Sequence, residues 1–520
     1  MLTDSHPSRP AMPQTSGADA IVIGAGLGGL AAAMRLGAKG YRVTVIDRLD
    51  MPGGRGSAIS QGGHRFDLGP TIVTVPQGLR DLWAACGRDF DHDVDLRALE
   101  AFYQIRWQDG STFTARQSTD AMRAEVARLS PGDLPGYDKF LKDSEKRYWF
   151  GFENLGRRAM HRFADLLKVL PTFAMLRADK SVYAHAASRV KDERLRFALS
   201  FHPLFIGGDP FHVTSMYILV SHLEKEFGVH YAMGGVAAIA LAMAGVITSQ
   251  GGSLRLNAEV DEILLENGRA TGVRLTDGAV IAADVVVSNA DAGHTYDRLL
   301  RNHRRKRWTP DKLARKRWSM GLFVWYFGTK GTRLKWPEVG HHTILVGPRY
   351  KDHIRDIFIR GKLADDMSLY VHRPSVTDPS VAPLGDDTFY ALSPVPHLGI
   401  GETDWETAAE PYRQKMQQML EDRLLPGLGT HLSEQLVFTP NSFQTRYLSP
   451  FGSGFSIEPR ILQSAYFRPH NVSEEARGLY LVGAGTHPGA GLPGVIASAE
   501  VLGTIVPDAP RSATLRMAAE

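Results

Sequence analysis

Hydrophobic and polar positions along this chain switch between helical and extended spacing. Residues 19–47 open with a short apolar run, AIVIG. They turn through glycines into GLAAAMRLGAKG and end in YRVTVID, where apolar and polar residues alternate. Strand, tight turn, helix ending near Gly40, and strand predict a βαβ unit. The stretch from about Arg116 to Tyr231 reads mostly as helix. Residues 251–291 return to strand spacing, with ENG and TDG as hairpin turns. From about Arg301 to His470 the pattern is mixed and Pro-rich, and 478–506 read as strand, glycine-rich turn and helix. No internal repeat is present.

The chain's 520 residues, 43% hydrophobic and 22% charged, suit a globular protein of two or three domains. A net charge of +4 with no Lys/Arg-rich tract gives no warrant for a nucleic-acid partner. Cys86 is the single cysteine, so no internal disulfide or iron–sulfur cluster can form. Redox chemistry would have to come from a bound organic cofactor, and no metal ligand is expected. The start, MLTDSHPSRPAMPQTSG, lacks the apolar centre of a signal peptide. The longest apolar runs, Ile21 to Met34 and Val236 to Ile247, are too short to span a bilayer.

Chemistry enters at GAGLGG. Gly24, Gly26 and Gly29 stand in G-x-G-x-x-G spacing after a strand and before a helix, and Asp47 ends the next strand. Gly24 permits the tight turn, Gly26 lets backbone approach a pyrophosphate, and Gly29 lets helix and strand pack closely. Asp47 can accept from a ribose diol. The helix N-terminus offers free N–H groups to phosphates. Next come Gly53, Gly54 and Arg55. An acid followed by a Gly-Gly-Arg loop recurs in FAD enzymes. The glycines would pass close to the dinucleotide, and Arg55 would meet a phosphate or orient the flavin, unless it is only a solvated loop residue.

These motifs, with HRFDLGPTIVTVP, SFHPLFIGGDPF, FGVHYAMGG, SNADAGHTY, PVPHLG, FSIEPRILQSAYFRPHN and LYLVGAGTHPGAGLPGV, span nearly all of Ala20 to Val501. Together they resemble the carotenoid (phytoene) desaturase family, within the amine-oxidase-like superfamily of FAD proteins, and most of all its members from purple photosynthetic bacteria. One departure is small: the ribose acid is Asp47, where many superfamily members have Glu. The resemblance implies an α/β fold with a discontinuous Rossmann-like FAD domain from residues 18–115, 235–300 and 471–507. A discontinuous α+β substrate and membrane domain would come from 116–234 and 301–470. The polar, Pro- and Ser-rich composition of residues 1–17 reads as a disordered tail, and 508–520 as a C-terminal tail. The resemblance assigns Gly485, Thr486 and Gly494 to the flavin and ribityl chain. It also implies stepwise desaturation of phytoene to neurosporene or lycopene. A related carotenoid desaturase, or a non-catalytic isoprenoid carrier, are the alternatives.

In such a reaction a hydride goes to the flavin and a proton leaves, while the protein holds a linear hydrocarbon and excludes water. Candidates for the proton, or for positioning near the flavin, are Asp209, His487, Arg468 and His470. Each has a structural reading beside it: Asp209 as a turn residue among glycines and Pro210, His487 as a residue fixed by Pro488. GAGTHPG has one residue too many for a second dinucleotide fingerprint, so a quinone or dioxygen is the expected electron acceptor rather than a nicotinamide. Arg157 to Lys180, with Met160, Phe163, Leu167 and Leu170 at helical spacing among basic residues, reads either as an interfacial helix or as an ordinary core-facing one. The expected location is cytoplasmic, peripheral on the inner membrane. Number of steps and oligomeric state stay open, a homo-oligomer among the possibilities.

Overall fold

The computed structural model describes residues 17–510. A five-stranded parallel sheet runs in the order Leu479–Leu481, Val285–Ser288, Asp19–Ile23, Arg42–Ile46, Ser253–Arg255. Parallel sheets bury both faces, and alternation along one strand shows how. Ala20 and Val22 of Asp19–Ile23 enter a core with Leu30 and Met34 of helix Leu27–Ala38, Ile239 and Met243 of helix Val236–Ser249, and Ile496 and Leu502 of helix Leu492–Ile505. Ile21 and Ile23 enter the opposite core with Ile263, Val273 and Leu479. That face is covered by the antiparallel strands Val260–Glu266, Arg269–Leu275 and Val280–Ala282. Their turns are the expected ones, with Asn267, Gly268 and Gly278 at positive φ of 50°, 72° and 87°.

The second sheet has seven strands, in the order Leu432–Phe438, Gly321–Thr329, Asp387–Val395, Leu369–His372, His342–Leu345, Tyr103–Arg106, Thr112–Ala115. All neighbours are antiparallel except His342–Leu345 beside Tyr103–Arg106. The last two strands precede residue 115, so this sheet takes chain that the sequence reading gave to the FAD domain. Hairpin strands of four residues carry too little pattern to show which sheet they join. Gly321–Thr329 is buried throughout. Phe323, Trp325 and Phe327 pack against helix Trp405–Arg423, while Leu322, Val324 and Tyr326 face a large cavity.

Of the segment expected as helix from Arg157 to Lys180, Phe163–Met175 is α-helical, and a π-helix, Tyr148–Gly156, precedes the segment. Met160 lies before the α-helix and is buried. No described helix is long and apolar enough to cross a membrane.

Candidate functional site

The carboxyl ends of the parallel strands open on a cavity of about 1040 Å³. Gly24, at φ +93°, makes the turn after the first strand. A β-carbon on Gly29 would stand 2.1 Å from the Gly24 carbonyl oxygen, so only glycine lets helix Leu27–Ala38 start there. That helix begins at Gly26 with no side-chain cap, which leaves its first N–H groups free for an anion. Gly24, Gly26, Gly28, Gly53, Gly54 and Arg55 line the cavity, whereas Gly29 is used in packing. Gly54 lies against Gly26: an added β-carbon would be 3.3 Å from the Gly26 α-carbon.

Asp47 also lines the cavity. Its carboxylate accepts from the Ala25 N–H at 2.6 Å and the Leu49 N–H at 2.8 Å, which fixes it beside the glycine turn. Burial raises its pKa, and these two bonds oppose the rise. Arg55 donates to Ser449 Oγ at 2.5 Å and lies over the Tyr447 ring at 5.7 Å. Its Nε and the Oδ2 of Asp291, also on the cavity wall, have no hydrogen-bond partner among the described residues. Burial pushes the Arg55 pKa down and the Asp291 pKa up, and each charge opposes the other's shift.

The C-terminal wall is made by Gly483, Ala484 and the run His487 to Val495, including Gly494. Helix Leu492–Ile505 begins here after Gly491 (φ +95°), again without a side-chain cap. Gly485 and Thr486 are not among the residues that line the cavity. A β-carbon on Gly485 would meet Ser456 Oγ at 2.8 Å, and the Thr486 N–H closes the turn onto the Gly483 carbonyl at 3.1 Å. They shape the loop whose next residues face the cavity.

The proton candidates separate. His487 lines the cavity, with Nε2 3.1 Å from the Leu155 carbonyl and 3.0 Å from that of Arg158. Only an N–H can satisfy two carbonyl oxygens, so Nε2 carries the proton. Burial pushes the pKa down to about 4. Asp209 is absent from the wall: Oδ1 accepts from the Phe211 N–H at 2.8 Å and Oδ2 pairs with His212 Nδ1 at 2.6 Å, as a turn residue does. Arg468 is buried behind the wall, donating to the carbonyls of Ala484 (2.6 Å) and Ile457 (3.0 Å). His470 bonds the Tyr466 carbonyl at 2.9 Å and Glu474 at 3.1 Å. Arg468 thus holds the loop that carries the wall, while these two partners of His470 lie within residues 466–474.

Sequence reasoning missed Asn289, Asp291 and Glu224. Asn289 reaches into the glycine turn, donating to the Gly24 carbonyl at 3.3 Å. Glu224 is a half-buried carboxylate on the wall that accepts from the Tyr103 hydroxyl at 3.1 Å and lies 3.4 Å from His202 Nε2. The passage SNADAGHTY holds Asn289 and Asp291; nothing in the spacing flagged Glu224.

Away from the glycines the wall is apolar, with Phe152, Leu166, Phe173, Phe205, Leu322 and Leu492 among its residues. Leu170, Ile461 and Leu462 line the cavity and are also solvent-exposed, by 46%, 38% and 67%. The cavity therefore reaches the surface beside helix Phe163–Met175. Phe163, Leu167 and Met175 on that helix are exposed as well. Arg157 is tied to Asp81, Glu153 and Glu500 at 3.0–3.2 Å and is no free surface charge, whereas Arg158, Arg162 and Lys168 are exposed.

The family profile described as flavin containing amine oxidoreductase matches residues 27–500. The chain is 72% identical to a phytoene desaturase (neurosporene-forming) of Cereibacter sphaeroides, covering 97% of each chain. It is 68% identical to a protein of the same description from Rhodobacter capsulatus, over 95% of each chain. A lycopene-forming phytoene desaturase of a Paracoccus species is 43% identical, over 94% of this chain and 97% of that one. Among solved structures, an oxidoreductase from Methanosarcina mazei matches with a TM-score of 0.64 at 20% identity, over 93% of this chain and 99% of that one, a likeness of fold.

Proposed function

Since the chain belongs to the flavin-containing amine oxidoreductases, and within them to the phytoene desaturases, we propose that it desaturates phytoene in successive steps to neurosporene. It is an oxidoreductase and its cofactor is FAD. The observation that carries the reading is the single cavity of about 1040 Å³ in which a glycine-lined, polar end continues into an apolar space that reaches the surface. The neurosporene end point rests on the neurosporene-forming relatives at 72% and 68% identity, against 43% for the lycopene-forming one.

The residues present fit FAD. The uncapped helix after Gly26 suits a pyrophosphate, and Asp47 suits a ribose diol. The unpartnered Arg55 Nε and Asp291 Oδ2 suit hydroxyl or phosphate groups between the two glycine segments. The uncapped helix after Gly491 suits the edge of the flavin that becomes negative on reduction. When bound, FAD supplies the hydride acceptor.

The rest falls to the protein. Apolar side chains such as Phe173, Phe205 and Leu322 hold the hydrocarbon straight and keep water out. Of the acids on the wall, Asp47, Glu259 and Asp291 lie at the dinucleotide end or on its strands, and Asp179 is exposed and paired with Arg177. Glu224 remains, and we assign it the departing proton, with Tyr103 and His202 holding its carboxylate in place. His487 stays neutral and positions the cofactor loop.

Substrate enters from a membrane. Phe163, Leu167, Leu170, Met175 and Leu462 form an apolar rim, with Arg158, Arg162 and Lys168 nearby for anionic headgroups. A quinone or dioxygen reaching the flavin by the same apolar route takes the electrons. The test is conversion of phytoene in liposomes by the purified FAD-loaded protein. Neurosporene as the accumulating product supports the reading, and no conversion, or lycopene as the end product, overturns it.

A further inference from the structure

Three histidines meet in the core of the seven-stranded sheet. His342 and His372 are register partners on neighbouring antiparallel strands, and His341 immediately precedes His342. All three are buried, and one ligand nitrogen from each lies within 4.8 Å of the others. Nε2 of His341 is 3.1 Å from Nε2 of His372. Nε2 of His342 has no hydrogen-bond partner among the described residues. The opposite nitrogens are held: His341 Nδ1 is 2.7 Å from Thr377 Oγ1, and His342 Nδ1 is 2.6 Å from the Tyr370 hydroxyl.

A buried, unpartnered imidazole nitrogen is costly and calls for an occupant. Around a tetrahedral ion bound at 2.0–2.1 Å, neighbouring ligand nitrogens stand about 3.3 Å apart, close to the spacing of His341 and His372. Oxygen partners on the far nitrogens are what orients metal-ligating histidines. Three imidazoles without a thiolate or a carboxylate suit a borderline divalent ion such as zinc, and suit neither magnesium nor calcium. Negative charge is at hand. The Asp378 carboxylate acts on His341.

We propose that His341, His342 and His372 bind one zinc ion that pins strand His342–Leu345 to strand Leu369–His372. Tyr370, bonded to His342 and to Thr71, stands on the cavity wall, so the ion would stiffen that wall from behind. The role is structural. The expectation of no metal failed to anticipate this grouping because His372 is far along the chain and is brought in only by strand register.

The experiment uses the full chain, expressed with added zinc and purified without chelators or metal-affinity resin. Elemental analysis should find about one zinc per chain. X-ray absorption at the zinc edge of that wild-type protein should show three imidazoles. His342→Ala and Thr377→Val should lower zinc content, the second by weakening affinity ~10- to 100-fold while keeping all three ligands. Wild-type protein without zinc above background overturns the proposal. So does bound zinc with fewer than three imidazoles, or zinc content unchanged in the folded variants. If His342→Ala does not fold, the imidazole count in wild-type protein decides.

Discussion

Gly28 faces Gly483 with no room for a methyl group between them: a β-carbon on Gly28 would stand 3.1 Å from the Gly483 α-carbon. The first glycine turn and the last thus share one floor, and Asn289 fills what remains, 2.8 Å from the same β-carbon position. Two glycine turns far apart in the chain thus meet at one floor.

That contact sets the first prediction. Gly28→Val should push the two turns apart and lower FAD occupancy at least ~10-fold, with an overpacking cost of about 1–3 kcal/mol in stability. Gly29→Ala should behave alike, since its β-carbon would be 2.1 Å from the Gly24 carbonyl oxygen. Bound flavin absorbance after gel filtration measures this. Wild-type occupancy in both variants would contradict the assignment.

Glu224→Gln keeps the shape of the side chain and removes its basicity. It should lower kcat about 100-fold with KM within about twofold, the pattern for a group acting on the proton and not on binding. His487→Gln, by contrast, should lower FAD occupancy, since the imidazole ties the loop to the Leu155 and Arg158 carbonyls. Equal kcat for Glu224→Gln and wild type would remove Glu224 from the reaction.

Burial pushes the pKa of His185, His294, His353, His397 and His487 down to about 4. In the unfolded chain a histidine titrates near 6.5, so between about pH 6.5 and 4 the unfolded state binds the extra protons. Stability is therefore full above 6.5 and falls as pH drops, by up to about 1.4 kcal/mol per pH unit for each such histidine. Asp67, raised to about 7 by burial, works in the opposite sense, gaining stability as pH falls toward 4. Asp47, Asp291 and Glu458 are raised as well, but the histidines pushed down by burial, His64, His222, His230 and His341 among them, outnumber the raised acids and leave the net direction downward. Urea midpoints at neutral and mildly acidic pH check it, and a midpoint that rises on acidification would contradict the burial of these rings.

Charge reversal of Arg158, Arg162 and Lys168 to Glu should weaken co-sedimentation with anionic vesicles, at about 1 kcal/mol per charge near the surface. Arg157→Glu should instead destabilise the fold, because it breaks three internal ion pairs. Unchanged sedimentation of the triple variant would return helix Phe163–Met175 to a role within the protein.

The βαβ unit from Asp19 to Asp47 was legible because strand, turn, helix and acid are contiguous and each residue's task is local. The ENG and TDG hairpins were legible for the same reason. The seven-stranded sheet was not: Tyr103–Arg106 pairs with His342–Leu345, and only the folded chain sets that register. Sequence spacing showed that the segment from Gly483 to Gly494 approaches a ligand. It could not show that Gly485 and Thr486 turn away while His487 to Gly491 face inward. Glu224 had no motif around it, since its place on the wall depends on Tyr103 and His202 arriving from elsewhere.

The central claim is tested most directly by product analysis under strict anaerobiosis. The purified chain, loaded with FAD, is given phytoene in liposomes and a quinone as electron acceptor. The account predicts sustained turnover with neurosporene accumulating, and none when NADP⁺ is the sole acceptor. No desaturated product with quinone would contradict the account, and sustained turnover on NADP⁺ alone would reveal a nicotinamide site that it lacks.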